Sequence, residues 1–145
     1  MPALPIINNY SVQDIFLSRI KLATGTYSNS TGSTVTLTPG TVMGQIITSG
    51  NWLPCASGAS DGSQNPRALC YDTYVVPTGT SVTFYYCYAG DVNQNGLVFQ
   101  GTDTLATSVS TLGIYGSLLT ANSLIVLWPS TELSGYDNGV GGTSG

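Results

Sequence analysis

The apolar positions of this chain fall in short runs, with clusters of Gly, Ser, Thr, Asn and Asp between them. This is strand-and-turn punctuation, because those small residues tolerate positive φ or hydrogen-bond their own backbone. The central stretch covers residues 39–72. Val42, Met43, Ile46 and Ile47 surround Gly44 and predict a strand, Thr48-Ser49-Gly50-Asn51 turns the chain, and Trp52-Leu53-Pro54 leaves the turn. A polar loop over residues 57–66 precedes the apolar run Ala68-Leu69-Cys70-Tyr71. Upstream, Thr34-Val35-Thr36-Leu37 alternates as a strand. Downstream, Tyr74-Val75-Val76 leads through the turn Pro77-Thr78-Gly79-Thr80 into residues 81–88, a run rich in β-branched and aromatic side chains that makes the strongest strand pattern in the chain. Val82, Phe84, Tyr86 and Tyr88 fall on one side of it, and Thr83, Tyr85 and Cys87 on the other. Apolar groups on both sides predict a core strand covered on both faces.

The period changes after residue 104. Leu105, Val109, Leu112, Tyr115 and Leu119 recur at gaps of four, three, three and four, which predicts a helix within 105–119. Its Thr, Ser and Gly content opposes that reading. Ala121-Asn122 then turns the chain into a closing strand over 123–128, which Pro129 stops.

The ends read differently. Residues 1–10 hold two prolines and no period, and predict an extended arm. Residues 11–22 admit two readings. Ser11 with Asp14 resembles a capping box, so that Val12, Ile15, Phe16 and Ile20 share one helical face. Alternatively, Phe16, Ser18, Ile20 and Leu22 line one face of a strand. The Gly/Ser/Asn/Thr loop over 24–33 then separates this segment from the body. The resulting division is an arm and loop over 1–33, a body over 34–128, and a Gly/Ser-rich flexible tail over 129–145.

Composition sharpens the picture. The 145 residues make one domain large enough for a real core. Charged residues are 7% of the chain, against about 25% in ordinary soluble domains. So little charge predicts surface buried against copies of itself or a partner. A net charge of −4 with three cations, Arg19, Lys21 and Arg67, argues against direct nucleic-acid binding. No apolar run reaches the ~18 residues of a membrane span, and the N-terminus lacks the pattern of a secretory signal. Cys55, Cys70 and Cys87, odd in number and without CxxC spacing, read as small buried hydrophobes.

Little catalytic chemistry is available. The chain has no His, which removes the usual general base and metal ligand. Asp61, Asp72, Asp91 and Asp103 show no spacing that pairs them. Asp91, Asn93, Asn95 and Gly96 match the front of a calcium loop, but Thr102 stands where the bidentate Glu belongs, and a plain turn is the preferred reading. The sequence therefore predicts no enzyme, with catalytic, cofactor and metal residues all none.

Gly40-Thr41-Val42-Met43-Gly44, Ile46-Ile47, Gly50-x-Trp52-x-Pro54, and Ala59-x-Asp61-Gly62-Ser63 with Ala68 and Leu69 follow one another in a fixed order. That series resembles the core of the phage lambda-type head decoration proteins. Gly90-Asp91-Val92-Asn93 with Leu97, and the closing order of helix, turn and Ile-Val strand, fit the same family. The resemblance covers about 34–128. It implies a mainly β body, barrel- or tulip-like, with one short helix and an extended N-terminal arm. It also implies a homotrimer on the outer surface of the expanded phage head, made in the host cytoplasm, binding the major capsid protein at three-fold positions against DNA pressure. On that reading Leu4, Ile6, Ile7, Phe16 and Ile20 are the arm's capsid contacts, and Trp52, Phe84, Tyr86 and Tyr88 are candidates for the trimer contact. A different class, a small β-sandwich adhesin or tail-associated module binding glycan or host surface through exposed Tyr and Trp, is the alternative.

Overall fold

A computed structural model describes residues 15–109 and 113–129. Its strands are β1 (Phe16–Ser28), β2 (Val35–Leu37), β3 (Val42–Gln45), β4 (Trp52–Pro54), β5 (Pro66–Cys70), β6 (Tyr74–Val76), β7 (Ser81–Asn93), β8 (Ser108–Val109), β9 (Gly113–Ile114) and β10 (Leu124–Trp128). A 3-10 turn covers Gln94–Gly96, and the helix α1 covers Tyr115–Asn122.

β7 is the spine. β1 pairs with it antiparallel from Ser28↔Ser81 to Phe16↔Val92. On its other side β5 meets Tyr86 and Cys87, and β10 runs parallel to it from Ala89 to Asn93. The main order is β1-β7-β5-β3-β4, with β2-β6 and β8-β9 as separate two-stranded pairs. The sheet curls without closing into a barrel. Its outer strands β1 and β4 share no ladder; instead the Trp52 indole lies against Gly25, where a Cβ would come within 2.6 Å of the ring. A side chain takes the place of the missing hydrogen bonds, and the seam needs a residue with no Cβ.

Strand alternation sends side chains into two cores. Val42, Leu69 and Cys87 join Ile15, Phe16, Val92, Tyr115, Leu119 and Ile125 on one face. Met43, Ala68, Cys70 and Phe84 join Tyr27, Leu37, Trp52 and Val76 on the other. Each fully buried large side chain stabilises the fold by about 1.5–3 kcal/mol. The expected two-sided burial of the strand at 81–88 is met in part within the chain: Phe84 and Cys87 are buried on opposite sides, while Thr83, Tyr85 and Tyr88 are exposed.

Three expectations need correction. The segment from Phe16 onward is not an arm outside the body: β1 is a thirteen-residue strand of the main sheet. Its apolar groups are too few for a fold of their own, but enough to complete the core of their neighbour. The loop after it is held as well. Asn29, 2% exposed, donates through Nδ2 to the carbonyls of Ser33 (2.9 Å) and Val76 (2.8 Å). The helix begins later than the spacing predicts. Val109 belongs to the β8–β9 hairpin and Gly113 takes φ +130°, so Tyr115 and Leu119 are the part of the pattern that is buried on a helix. With no side-chain cap, the helix's first N–H groups are satisfied by loop carbonyls instead: Tyr115 donates to Thr107 (3.0 Å) and Gly116 to Leu105 (2.9 Å).

Candidate functional site

The far end of β7 gathers both ends of the described chain. Phe16 opens β1 opposite Val92, and Leu127 near the close of β10 pairs with Val92 from the other side. β1 is antiparallel to β7 and β10 is parallel to it, so Phe16 and Trp128 lie at the same end of the sheet. Two strand spacings, about 10 Å, separate the two strands there.

A polar knot fixes this end. The Asp91 side chain, 4% exposed, accepts from Arg19 Nη2 (2.7 Å) and Nε (3.1 Å), Ser18 Oγ (2.6 Å) and Trp128 Nε1 (3.2 Å). One carboxylate thus ties the first strand, the spine and the last strand together. Two backbone features aim it. Around Tyr88–Gly90 the register with β1 slips, a bulge that turns Asp91 to the outer face while Val92 stays in the core. Gly90 adopts φ +123°, and a Cβ there would meet the Ile20 side chain at 2.6 Å. Arg19 itself lies at φ +57°, a left-handed conformation that non-glycine residues seldom take, and its guanidinium closes over the carboxylate. The hydrogen bond from Arg19, helped by those from Ser18 and Trp128, overrides burial and holds the Asp91 carboxyl down at about 2.

A second carboxylate ties the loop after β4 to the helix. Asp103 accepts from Ser57 N (2.9 Å), Ser57 Oγ (2.8 Å) and Tyr115 Oη (3.1 Å). The three thiols are buried, and burial lifts Cys55 and Cys87 to about 11 and Cys70 to about 12. Such thiols carry little thiolate and are poor nucleophiles.

The predicted residues scatter. Leu4, Ile6 and Ile7 lie outside the described residues. Phe16 is buried and Ile20 packs half-buried against the same core. Trp52 and Phe84 are likewise core residues at 6% and 0% exposure, because the two-stranded pair β2-β6 and the seam cover their face. Tyr86 is half-buried beside Trp52, ring centroids 4.5 Å apart, and Tyr88 is exposed. The calcium-like loop is built differently from a cation site: Asp91 faces Arg19, and Asn93 Oδ1 accepts from Asn95 N to cap the 3-10 turn. Among the described residues no group of three or more His, Cys, Asp or Glu could hold a metal ion, and no helix is long and apolar enough to cross a membrane. Sequence reasoning missed the Asp91 knot. A Gly inside a strand pattern, Gly90, was its one signal, since such a Gly often marks a bulge.

Among curated proteins none matches the chain. A family model does, that of the bacteriophage lambda head decoration protein D, over residues 16–112. Its start coincides with the first residue of β1, and its span takes in the whole curled sheet apart from β10. More than half of the chain is matched, and the mainly β body with one short helix is the architecture that the ordered Gly, Trp, Pro and Asp-Gly-Ser series had implied. The chain belongs to the phage lambda head decoration protein family, structural proteins of the phage virion that decorate its capsid.

Proposed function

We propose that the chain acts as a trimeric cement on the outer surface of the expanded head, binding the major capsid protein at three-fold positions and resisting the pressure of packaged DNA. The role is mechanical, with no catalytic step. The family match carries the decoration role. The rest is supported by where the first and last described strands end. A strand-built body tied together at Asp91 is a rigid anchor, and β1 begins there beside the close of β10. The apolar residues Leu4, Ile6 and Ile7 in the segment 1–14 are the capsid contacts. An extended segment can add a strand to a capsid-protein sheet, where backbone hydrogen bonds supply affinity. Three such segments on one trimer raise the effective concentration, so a weak single contact becomes durable. The trimer contact draws on apolar side chains that the monomer leaves exposed, Ile47 and Val75 among them.

Deletion of residues 1–14 tests the arm. The cut spares β1, unlike one through residue 22, which would remove half of that outer strand of the main sheet. The truncated chain should melt within a few degrees of the full chain and fail to cosediment with undecorated expanded heads. Normal decoration by the truncated chain would place the contacts elsewhere.

A further inference from the structure

A cleft of about 360 Å³ opens beside the Trp52 seam, where the curled sheet fails to close. Trp52, Tyr86 and Tyr88 supply aromatic surface, and Gln45, Arg67 and Asn122 supply polar groups. The volume lies at the lower end of the ~300–1,000 Å³ range of ligand pockets.

The polar groups are chemically specific. Gln45 spends its Nε2 on the carbonyl of Gly50 (2.9 Å). Asn122 spends its Nδ2 on Asn65 Oδ1 (2.8 Å) and the carbonyl of Pro66 (3.0 Å). Both amides therefore keep their oxygens as acceptors, and neither oxygen accepts a hydrogen bond among the described residues. Arg67 is exposed and makes no hydrogen bond or ion pair among the described residues, unlike Arg19, which Asp91 neutralises. Its charge is felt in the cleft: burial and the neighbouring Tyr88 raise the Tyr86 phenol above its ordinary value, and Arg67 offsets part of that rise.

From this juxtaposition we infer that the cleft binds an acidic sugar unit, a uronic-acid residue of a surface polysaccharide. The guanidinium matches a carboxylate. The two amide oxygens take hydroxyl donors. The face of the exposed Tyr88 ring, beside the largely covered Trp52 and Tyr86, takes the apolar C–H face of a pyranose. An acidic peptide would satisfy Arg67 but bring few donors for the two oxygens. The cleft lies beside Tyr86, six residues along β7 from Val92, roughly 20 Å from the end where β1 begins and β10 closes. On a decorated head it would make a weak, many-copy adhesive surface.

The test titrates the full chain with a hyaluronan tetrasaccharide, by calorimetry and by amide chemical shifts. Chitotetraose serves as the neutral counterpart and tetraglutamate as the acidic peptide. Saturable binding of the hyaluronan fragment is expected, with shifts centred on Tyr86, Tyr88 and Asn122, and clearly weaker binding of both controls. Arg67→Ala and Tyr88→Ala alter exposed positions and should each weaken binding about tenfold or more while leaving melting unchanged. Decoration of heads by Arg67→Ala should be unaffected, which separates this inference from the cement reading. Absence of saturable binding, shifts centred elsewhere, full affinity in Arg67→Ala, or equal binding of chitotetraose or tetraglutamate would each overturn it.

Discussion

Asp91 is the residue on which the described ends of the chain depend. Its carboxyl titrates at about 2, below the ordinary 3.8, so it binds protons less readily folded than unfolded. The stability it contributes is therefore complete above pH ~4 and is lost as pH falls from ~4 through ~2. Arg19 is 72% exposed on its side chain, and solvent screening brings the contribution to about 1–2 kcal/mol rather than the full value of the shift. Asp91→Asn should lower stability by that amount at pH 7, and denaturant titrations should show its stability flatter than wild type between pH 4 and pH 2. Equal slopes in that window would remove Asp91 from the account. At this scale the sequence was a poor guide. Asp91, Asn93 and Asn95 read locally as turn or cation chemistry, whereas the partners that decide the role, Arg19 and Trp128, lie 72 and 37 residues away. The cysteines show the opposite case: their odd number and lack of CxxC spacing pointed to buried hydrophobes, and all three are buried.

At the scale of elements, the strands were legible wherever one run carried its own period. β2, β4, β6 and β10 fall within a residue of their predicted bounds, and β7 extends five residues past the 81–88 run, carried on through the Gly90 bulge. What failed was segment membership. β1 looked detached because of the Gly/Ser/Asn/Thr-rich stretch over 24–33, yet the first half of that stretch belongs to the strand itself, and Gly25 within it is required by the Trp52 ring. Gly25→Val should cost about 1–3 kcal/mol through forced displacement of that ring. Gly32→Ala, where an added Cβ meets nothing within 4 Å, should stay within about 0.5 kcal/mol of wild type. Thermal melts of the two variants check the pair, and equal melting would mean that the seam is not packed as described. The start of the helix was misplaced for another reason: Leu105 and Val109 share its spacing by coincidence, and tertiary pairing of β8 with β9 overrides it.

For the whole molecule, the low charge gains a partial explanation inside the monomer, since both faces of the sheet are largely covered over β5 and over residues 89–93 of β7. The exposed Ile47, Val75, Tyr85 and Leu124 remain, and the trimer reading expects some of them to be covered between subunits. Light scattering on a sizing column should then give three chains of 15.1 kDa, about 45 kDa. A monomer would confine trimer contacts to the head. The most direct measurement is cryo-electron microscopy of undecorated expanded heads mixed with an excess of the chain. The account predicts added density at every three-fold position, into which the curled sheet fits with the Asp91 end of β7 toward the capsid. Heads that emerge bare, or density with that end pointing outward, would contradict it.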